Sequence, residues 1–361
     1  MTAARLDIDL NAISHNTRTL VDRLAPRGIS VTGVAKATLG SPSVALAMIR
    51  GGVSGMGDSR LENLERLREA TTAMPHTLIR SPMLSQVDRV VREADCSLNT
   101  ESAVLDALST AAVRRRTDHA VVLMVELGDL REGVPTDEIS DLASTIAKRP
   151  GLRLLGLGTN LACRSGVVPD QGKMDELSRL VEQVETRVGH RLTLVTGGNS
   201  ANLDWALSTD DAGRINDLRL GESILLGTEP LHRRPIDGLT TDAFTLVAEV
   251  IEVRTKPAQC WGTIAQSAFG ESLPGERRGT VRQAIVALGR QDVDPDGVVP
   301  PAGMAVLAAS SDHLVLDVGD HGLAVGDDVS FGLNYSALLR AMTSPFVHTN
   351  EYVSAPIGAL P

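Results

Sequence analysis

Short apolar runs alternate with amphipathic stretches from about residue 10 to residue 236, and that alternation limits the possible folds more than any other feature of the chain. Strands are expected near 29–35, 54–58, 76–80, 95–98, 119–126, 152–158, 191–196 and 217–219. Helical patterns fall between them, among them 11–24 (with Asp9 or Asn11 as cap), 85–93, 137–148 and 175–188. Eight strands alternating with helices predict an α/β fold, a parallel (β/α)8 barrel of the TIM type over 10–236. Near Asp237 the pattern turns to β, with strands expected at 244–254, 283–288, 304–309, 314–318 and 328–331. Turn residues such as Asp294-Pro295-Asp296-Gly297 and Val318-Gly319-Asp320 separate them, and a short helix is expected at 335–342. Residues 237–361 therefore read as a second, mostly antiparallel β domain. The segment 274–279 reads as a solvated hairpin loop.

With 361 residues, 42% of them hydrophobic, the chain can bury the core of a barrel and of a second domain. Only 2% are aromatic, so that core must be built from Leu, Val, Ile and Ala. A net charge of -10 argues against nucleic acid as a partner, because such a surface repels phosphate backbones. Cys96, Cys163 and Cys260 are an odd number without paired spacing, so neither a disulfide framework nor a CxxC metal pair is implied. No apolar run is long enough for a membrane span and the first residues lack a signal core, so a cytoplasmic protein with no membrane partner is expected.

A barrel gathers its chemistry at the C-terminal ends of its strands. Here those ends carry Lys36, Asp58-Ser59-Arg60, the segment from Glu126 to Gly133, Thr159-Asn160, Thr196-Gly197-Gly198-Asn199-Ser200 and Arg219-Leu220-Gly221-Glu222. Lys36 closes the apolar run 29–35, and its amine is placed to form an imine with a carbonyl, of which pyridoxal phosphate is the commonest bound to proteins. The plain alternative is a lysine that snorkels to solvent from a strand end. The Gly197–Ser200 segment offers amides, a hydroxyl and a helix start to a phosphate, the position where barrels often bind one. A plain turn with a Ser helix cap is the alternative. Arg219 can only donate, so beside the nitrogen of a pyridine ring it leaves that nitrogen unprotonated and a poor electron sink. An ordinary salt bridge of Arg219 to Asp217 or Glu222 is the alternative.

Together these segments resemble the alanine racemase family of pyridoxal-phosphate enzymes, the barrel fold type (fold type III), and more closely its ornithine/amino-acid racemase branch. The resemblance rests on Gly33-Val34-Ala35-Lys36-Ala37, Asp58-Ser59-Arg60-Leu61-Glu62-Asn63, Gly128-Asp129-Leu130-Arg131-Glu132-Gly133 and Gly158-Thr159-Asn160-Leu161-Ala162-Cys163. It continues through Gly197-Gly198-Asn199-Ser200-Ala201-Asn202-Leu203, Leu218-Arg219-Leu220-Gly221-Glu222, Gly289-Arg290-Gln291-Asp292-Val293, Ser310-Ser311-Asp312-His313 and Asn334-Tyr335. The ordered set spans both domains, and the resemblance implies that a first strand within 1–9 joins residues 237–361 in the second. It implies that Lys36 holds pyridoxal 5'-phosphate and moves the α-proton on one face, and that Arg131 contacts the cofactor's phenolic oxygen. It further implies Ser200, Gly221 and Tyr335 as phosphate ligands with Asn199 and Glu222 adjacent, Arg219 as the partner of the ring nitrogen, and a homodimer with active sites at the subunit interface. The implied activity is racemisation or epimerisation of a free amino acid such as ornithine.

One departure from the family pattern is plain. The Gly-Tyr-Ala-Asp-Gly stretch that carries the opposite-face tyrosine is replaced here by Gly289-Arg290-Gln291-Asp292-Val293, and Leu39-Gly40 stands where a further tyrosine usually follows the lysine. His313, Asp292 and Cys163 are the candidates for the missing base. Two other functions fit the same scaffold: a non-catalytic pyridoxal-phosphate carrier, and a lyase acting on D-amino acids. The carriers are single barrels, and the lyases recruit a metal for which His348-Thr349-Asn350 is an unconvincing ligand set, so no metal is expected.

Overall fold

The computed structural model describes residues 4–270 and 279–355; residues 274–278 of the expected hairpin loop lie outside them. The described chain forms two compact units, one centred on Leu10–Thr241 and one that joins the first strand to Asp242–Ser354.

The first unit follows β1 (Arg5–Asp9) with α1 (Leu10–Leu24), β2 (Ser30–Val34), α2 (Pro42–Arg50), β3 (Gly55–Asp58), α3 (Leu61–Ala70), β4 (His76–Leu78), α4 (Val87–Glu93) and β5 (Cys96–Asn99). It continues through α5 (Ser102–Arg115), β6 (His119–Met124), α6 (Ile139–Ile146), β7 (Leu152–Gly158), α7 (Gln171–Val188), β8 (Leu194–Thr196), α8 (Leu203–Ser208), β9 (Asp217–Leu220) and α9 (Glu222–Leu226). Strands β2 to β9 close into a parallel barrel, β9 returning to β2 with Ser30 opposite Asp217. This is the expected (β/α)8 architecture. Residues two apart on a strand share a face, so the interior divides by side-chain type. Cys96, Leu98, Ala120, Val122 and Met124, with Leu155 and Leu194 against them, form an apolar half. On the other half, where β8, β9 and β2 are neighbours, Thr32 bonds to Asp217 and Arg219 bonds to Thr196.

Differences from expectation sit at element ends. The Gly40-Ser41-Pro42 cluster does more than stop β2: Ser41 Oγ accepts from Val44 N at 3.4 Å and Pro42 occupies the first turn of α2. Helix α7 starts a turn earlier than its apolar spacing suggests, because Asp170 accepts from Lys173 N at 2.9 Å, and it ends at Gly189 with φ 78°. The expected strand 191–196 shortens to Leu194–Thr196.

The second unit contains β1, β10 (Phe244–Pro257), β11 (Thr280–Val286), β12 (Val298–Val299), β13 (Ala305–Ala309), β14 (Leu314–Asp317), β15 (Asp328–Leu333), α10 (Tyr335–Thr343) and β16 (His348–Tyr352). Its sheet runs β12-β15-β10-β11-β14-β13, with β1 antiparallel to β10 and parallel to β16. An irregularity between Val250 and Glu252 breaks the register of the long strand β10 on β11. Leu246, Ala248 and Val250 of β10 and Phe331 of β15 are buried with Leu6 and Ile8, the period-2 pattern of a one-sided sheet. β16 escapes the sequence reading because all five of its residues are exposed, so burial imposes no alternation on it. Among the described residues no helix is long and apolar enough to cross a membrane.

Candidate active site

Lys36 begins a single helical turn directly after β2. The turn ends at Leu39, whose φ of 52° is left-handed, and α3 clamps it there. Arg66 Nη1 donates to Leu39 O, and a side chain on Gly40 (φ +64°) would meet Asn63 at 2.9 Å. Asn63 Nδ2 in turn donates to Asp58 Oδ1 at 3.0 Å. Asp58, fully buried at the end of β3, is pushed up to about 6 by burial, and Lys36 opposes that shift. Glu222, which opens α9, is likewise raised by burial and opposed by Arg233 and Lys36. The lysine therefore lies within electrostatic reach of a carboxyl group from each barrel strand that neighbours its own.

Arg219 is 5% exposed. Its Nη1 donates to Thr196 Oγ1, and its Nη2 donates to Thr159 O at 2.7 Å and to Asn160 Oδ1 at 3.4 Å. Among the described residues no carboxylate forms an ion pair with it, which removes the salt bridge to Asp217 or Glu222 as its explanation, and Nε meets no acceptor. The buried Nδ2 of Asn160 also has no partner. Two donors are thus left over in one small region, an arrangement that suits a ligand carrying acceptor atoms.

The Gly197–Ser200 segment forms a capped turn, and the cap is Asn199 rather than Ser200. Asn199 Oδ1 accepts from Ala201 N at 2.8 Å, while Asn202 Oδ1 accepts from Asn199 N at 3.2 Å. Gly198 is required: its φ is +146° and a Cβ would lie 2.1 Å from Asn202 Oδ1. With Asn199 doing the capping, Ser200 Oγ turns to α9, 3.0 Å from Ser223 Oγ and accepting from Ser223 N at 3.2 Å. Gly221 enters α9 against β2, where a Cβ would come within 3.2 Å of the Val34 carbonyl oxygen. Lys36, Ser200, Arg219, Gly221 and Glu222 thus come together over adjacent strands β8, β9 and β2.

Arg131 lies in the loop after β6, paired with the carboxylate of Glu132 by Nε and Nη2. Asp129, 1% exposed, ties that loop to the next by accepting from Arg164 N and Ser165 N, each at 3.0 Å. Cys163 is exposed and accepts from Asn199 Nδ2 at 3.4 Å. Tyr335, Asp292 and His313 belong to the second unit. Tyr335 opens α10, capped by Asn334. Asp292 braces a loop, its Oδ2 accepting from Gly289 N at 3.1 Å and its Oδ1 from Ser344 Oγ at 3.0 Å. His313 is half-exposed, with Nδ1 2.9 Å from Asp312 Oδ1.

Sequence reasoning placed Thr159 and Thr196 at strand ends but not as partners of Arg219, and it missed the burial of Asp217. The signal was present: Asp217 and Arg219 are two apart on a strand, so one face of β9 carries both charges.

Residues 8–230 match the family described as alanine racemase, N-terminal domain. A lysine racemase of Thermotoga maritima is 38% identical over 350 residues, covering 96% of this chain and 98% of that protein. An ornithine racemase of Acetoanaerobium sticklandii is 34% identical, covering 95% and 98%. The solved alanine racemase of Streptomyces coelicolor superposes with a TM-score of 0.76 over 98% of both chains at 18% identity, a likeness of fold. Barrel, β domain and sequence kinship agree: this chain belongs to the alanine racemase family and is an amino-acid racemase, an isomerase.

Proposed function

We propose that the chain racemises a free amino acid with a basic side chain, ornithine or lysine, by means of pyridoxal 5'-phosphate held at Lys36. The observation that carries the cofactor is Arg219, a buried guanidinium without a touching carboxylate, whose Nε meets no acceptor among the described residues. A pyridine nitrogen is an acceptor of the kind it lacks. Bound there, the cofactor would supply a carbonyl for the substrate amine and a sink for the electrons of its α-carbon.

The remaining chemistry falls to the chain. Lys36 would take or deliver the α-proton on one face, and a second group would deliver or take it on the other. Ser200, Gly221 and Tyr335 would bind the phosphate, flanked by Asn199 and Glu222, and Arg131 would approach the phenolic oxygen. Arg219 stays protonated and can only donate, so it would leave the ring nitrogen unprotonated and a weaker electron sink, which favours return of the proton over elimination. For the opposite face the candidates are His313 and Asp292. His313 is the more available, since both Asp292 oxygens already brace a loop. The names of the lysine and ornithine racemases that the chain matches support the substrate class. A cytoplasmic homodimer with shared sites completes the reading.

Borohydride reduction of the cofactor-saturated protein should fix the label on Lys36. L-Ornithine or L-lysine in deuterium oxide should yield both enantiomers with deuterium at the α-carbon. Lys36→Ala should lower that turnover by about 10³-fold or more. A protein that neither binds the cofactor nor exchanges the α-proton of any amino acid would overturn the proposal.

A further inference from the structure

One buried carboxylate, unused by the proposed chemistry, joins the loops that follow β6 and β7. Asp129 is 1% exposed although it stands in a loop at the barrel mouth. Its Oδ2 accepts from Arg164 N and its Oδ1 from Ser165 N, each at 3.0 Å. Ser165 Oγ donates to Asp129 O at 2.9 Å, and Arg164 Nη1 donates to Leu130 O.

The loop after β6 is otherwise fastened only to itself and its own strand. Glu126 Oε1 accepts from Gly128 N at 2.5 Å and from Leu130 N at 3.0 Å. Glu126 N donates to Val134 O at 3.0 Å, and a Cβ on Gly133 would lie 2.5 Å from Glu126 N. Leu130 in this loop and Ala162 in the next hold left-handed φ values of 55° and 62°. Non-glycine residues keep such values only where their surroundings impose them.

The bonds of Asp129 connect groups of the site. Arg131 lies two residues beyond Asp129. On the other loop, Thr159 O and Asn160 Oδ1 accept from Arg219 Nη2, and Cys163, next to Arg164, accepts from Asn199 Nδ2 at 3.4 Å. The loop after β7 is thus tied to the buried guanidinium and to the capped turn after β8. Through Asp129 the loop after β6 takes its place from both. Glu132 forks Arg131 but is its neighbour in sequence, so that pair moves with the loop and cannot fix where it stands. A carboxylate suits the task, because it offers lone pairs to two backbone N–H groups at once and carries no donor of its own.

We propose that Asp129 is a positioning residue for the racemase: by fastening the loop after β6 to the loop after β7, it sets Arg131 against the phenolic oxygen of the cofactor. This inference rests on the function proposed above and adds to it the group that carries the placement of Arg219 and Asn199 over to Arg131.

A double-mutant cycle tests it, read by the dissociation constant of pyridoxal phosphate and by the absorption spectrum of the bound cofactor, which responds to the state of the phenolic oxygen. Arg131→Ala should weaken binding by about tenfold and shift the spectrum. Asp129→Asn turns an NH2 group toward a backbone N–H and should weaken binding by about as much, with a spectral shift in the same direction. If Asp129 acts through Arg131, the double variant loses about tenfold in affinity, not about a hundredfold. Ser165→Ala removes only the bond to Asp129 O and should move both readouts the same way by a smaller factor. Ser109→Ala is the control, since it deletes a buried hydroxyl that donates to Pro150 O at 2.6 Å, before β7 and away from the mouth. It should lower thermal stability and leave both readouts at wild-type values. Wild-type affinity and spectrum in Asp129→Asn (or in Ser165→Ala, should the first variant not fold), additive losses in the double variant, or equal effects from Ser109→Ala would overturn this inference alone. Wild-type readouts in Arg131→Ala would overturn it together with the role of Arg131. A wild-type protein that binds no pyridoxal phosphate would overturn the functional reading as well.

Discussion

The side-chain amide of Asn199 donates to the sulfur of Cys163 at 3.4 Å. The same amide donates to Leu161 O at 2.8 Å and to Asn160 Oδ1 at 3.1 Å, and Asn160 Oδ1 also accepts from Arg219. The exposed thiol is therefore part of the hydrogen-bond network of the barrel mouth. Alkylation of Cys163 should add bulk there and abolish racemisation, while alkylation of the exposed Cys260 leaves it intact. Cys163→Ser, whose hydroxyl also accepts from Asn199, should keep the activity and resist inactivation by iodoacetamide. Mass spectrometry of the modified peptides against residual activity checks the assignment.

Two buried groups make opposite contributions to the pH dependence of stability. Asp58 is raised from 3.8 to about 6 by burial, so between those values the folded state holds the extra proton and stability falls as pH rises. His119 is lowered from 6.5 to about 4 by burial, so between those values the unfolded state holds the extra proton and stability rises with pH. The two slopes largely cancel in the wild type. Relative to the wild type, Asp58→Asn should shift the slope of stability against pH upward between pH ~4 and ~6, and His119→Gln should shift it downward between pH ~4 and ~6.5, each by at most about 1.4 kcal/mol per pH unit. Urea titrations at a series of pH values measure both slopes.

Gly198 combines a φ of +146° with a clash at 2.1 Å if a Cβ is added. Gly198→Ala should cost about 1–3 kcal/mol from backbone strain and should displace Asn202, undoing the cap on Asn199. Thermal denaturation should show the loss of stability, and the affinity for pyridoxal phosphate should fall in parallel.

Much of the barrel was legible because most of its strands lie in short runs rich in apolar residues and the helices between them carry an apolar stripe at 3.6-residue spacing. Lys36, Ser200, Arg219 and Gly221 were legible as polar or small residues at strand ends, which a parallel barrel must bring to one rim. Other features were hidden for physical reasons. β16 buries no residue and so leaves no pattern. The capping role of Asn199 looks in sequence like that of its neighbour Ser200, since both are good caps, and only the φ of Gly198 and the reach of Asn202 choose between them.

Local chemistry written into the chain was enough to specify alternating strands and helices, a nucleophilic amine at one strand end and a permanent cation at another, because each depends on a few consecutive residues. Barrel closure decided what surrounds that cation. Thr196 pairs with Asp217 across β8 and β9, and Ser30 with Asp217 across β9 and β2. Those lateral registers put a hydroxyl, rather than a carboxylate, against Arg219. Register between strands far apart in the chain is set by how the whole barrel packs, so the partner of Arg219 could be read only from the folded molecule.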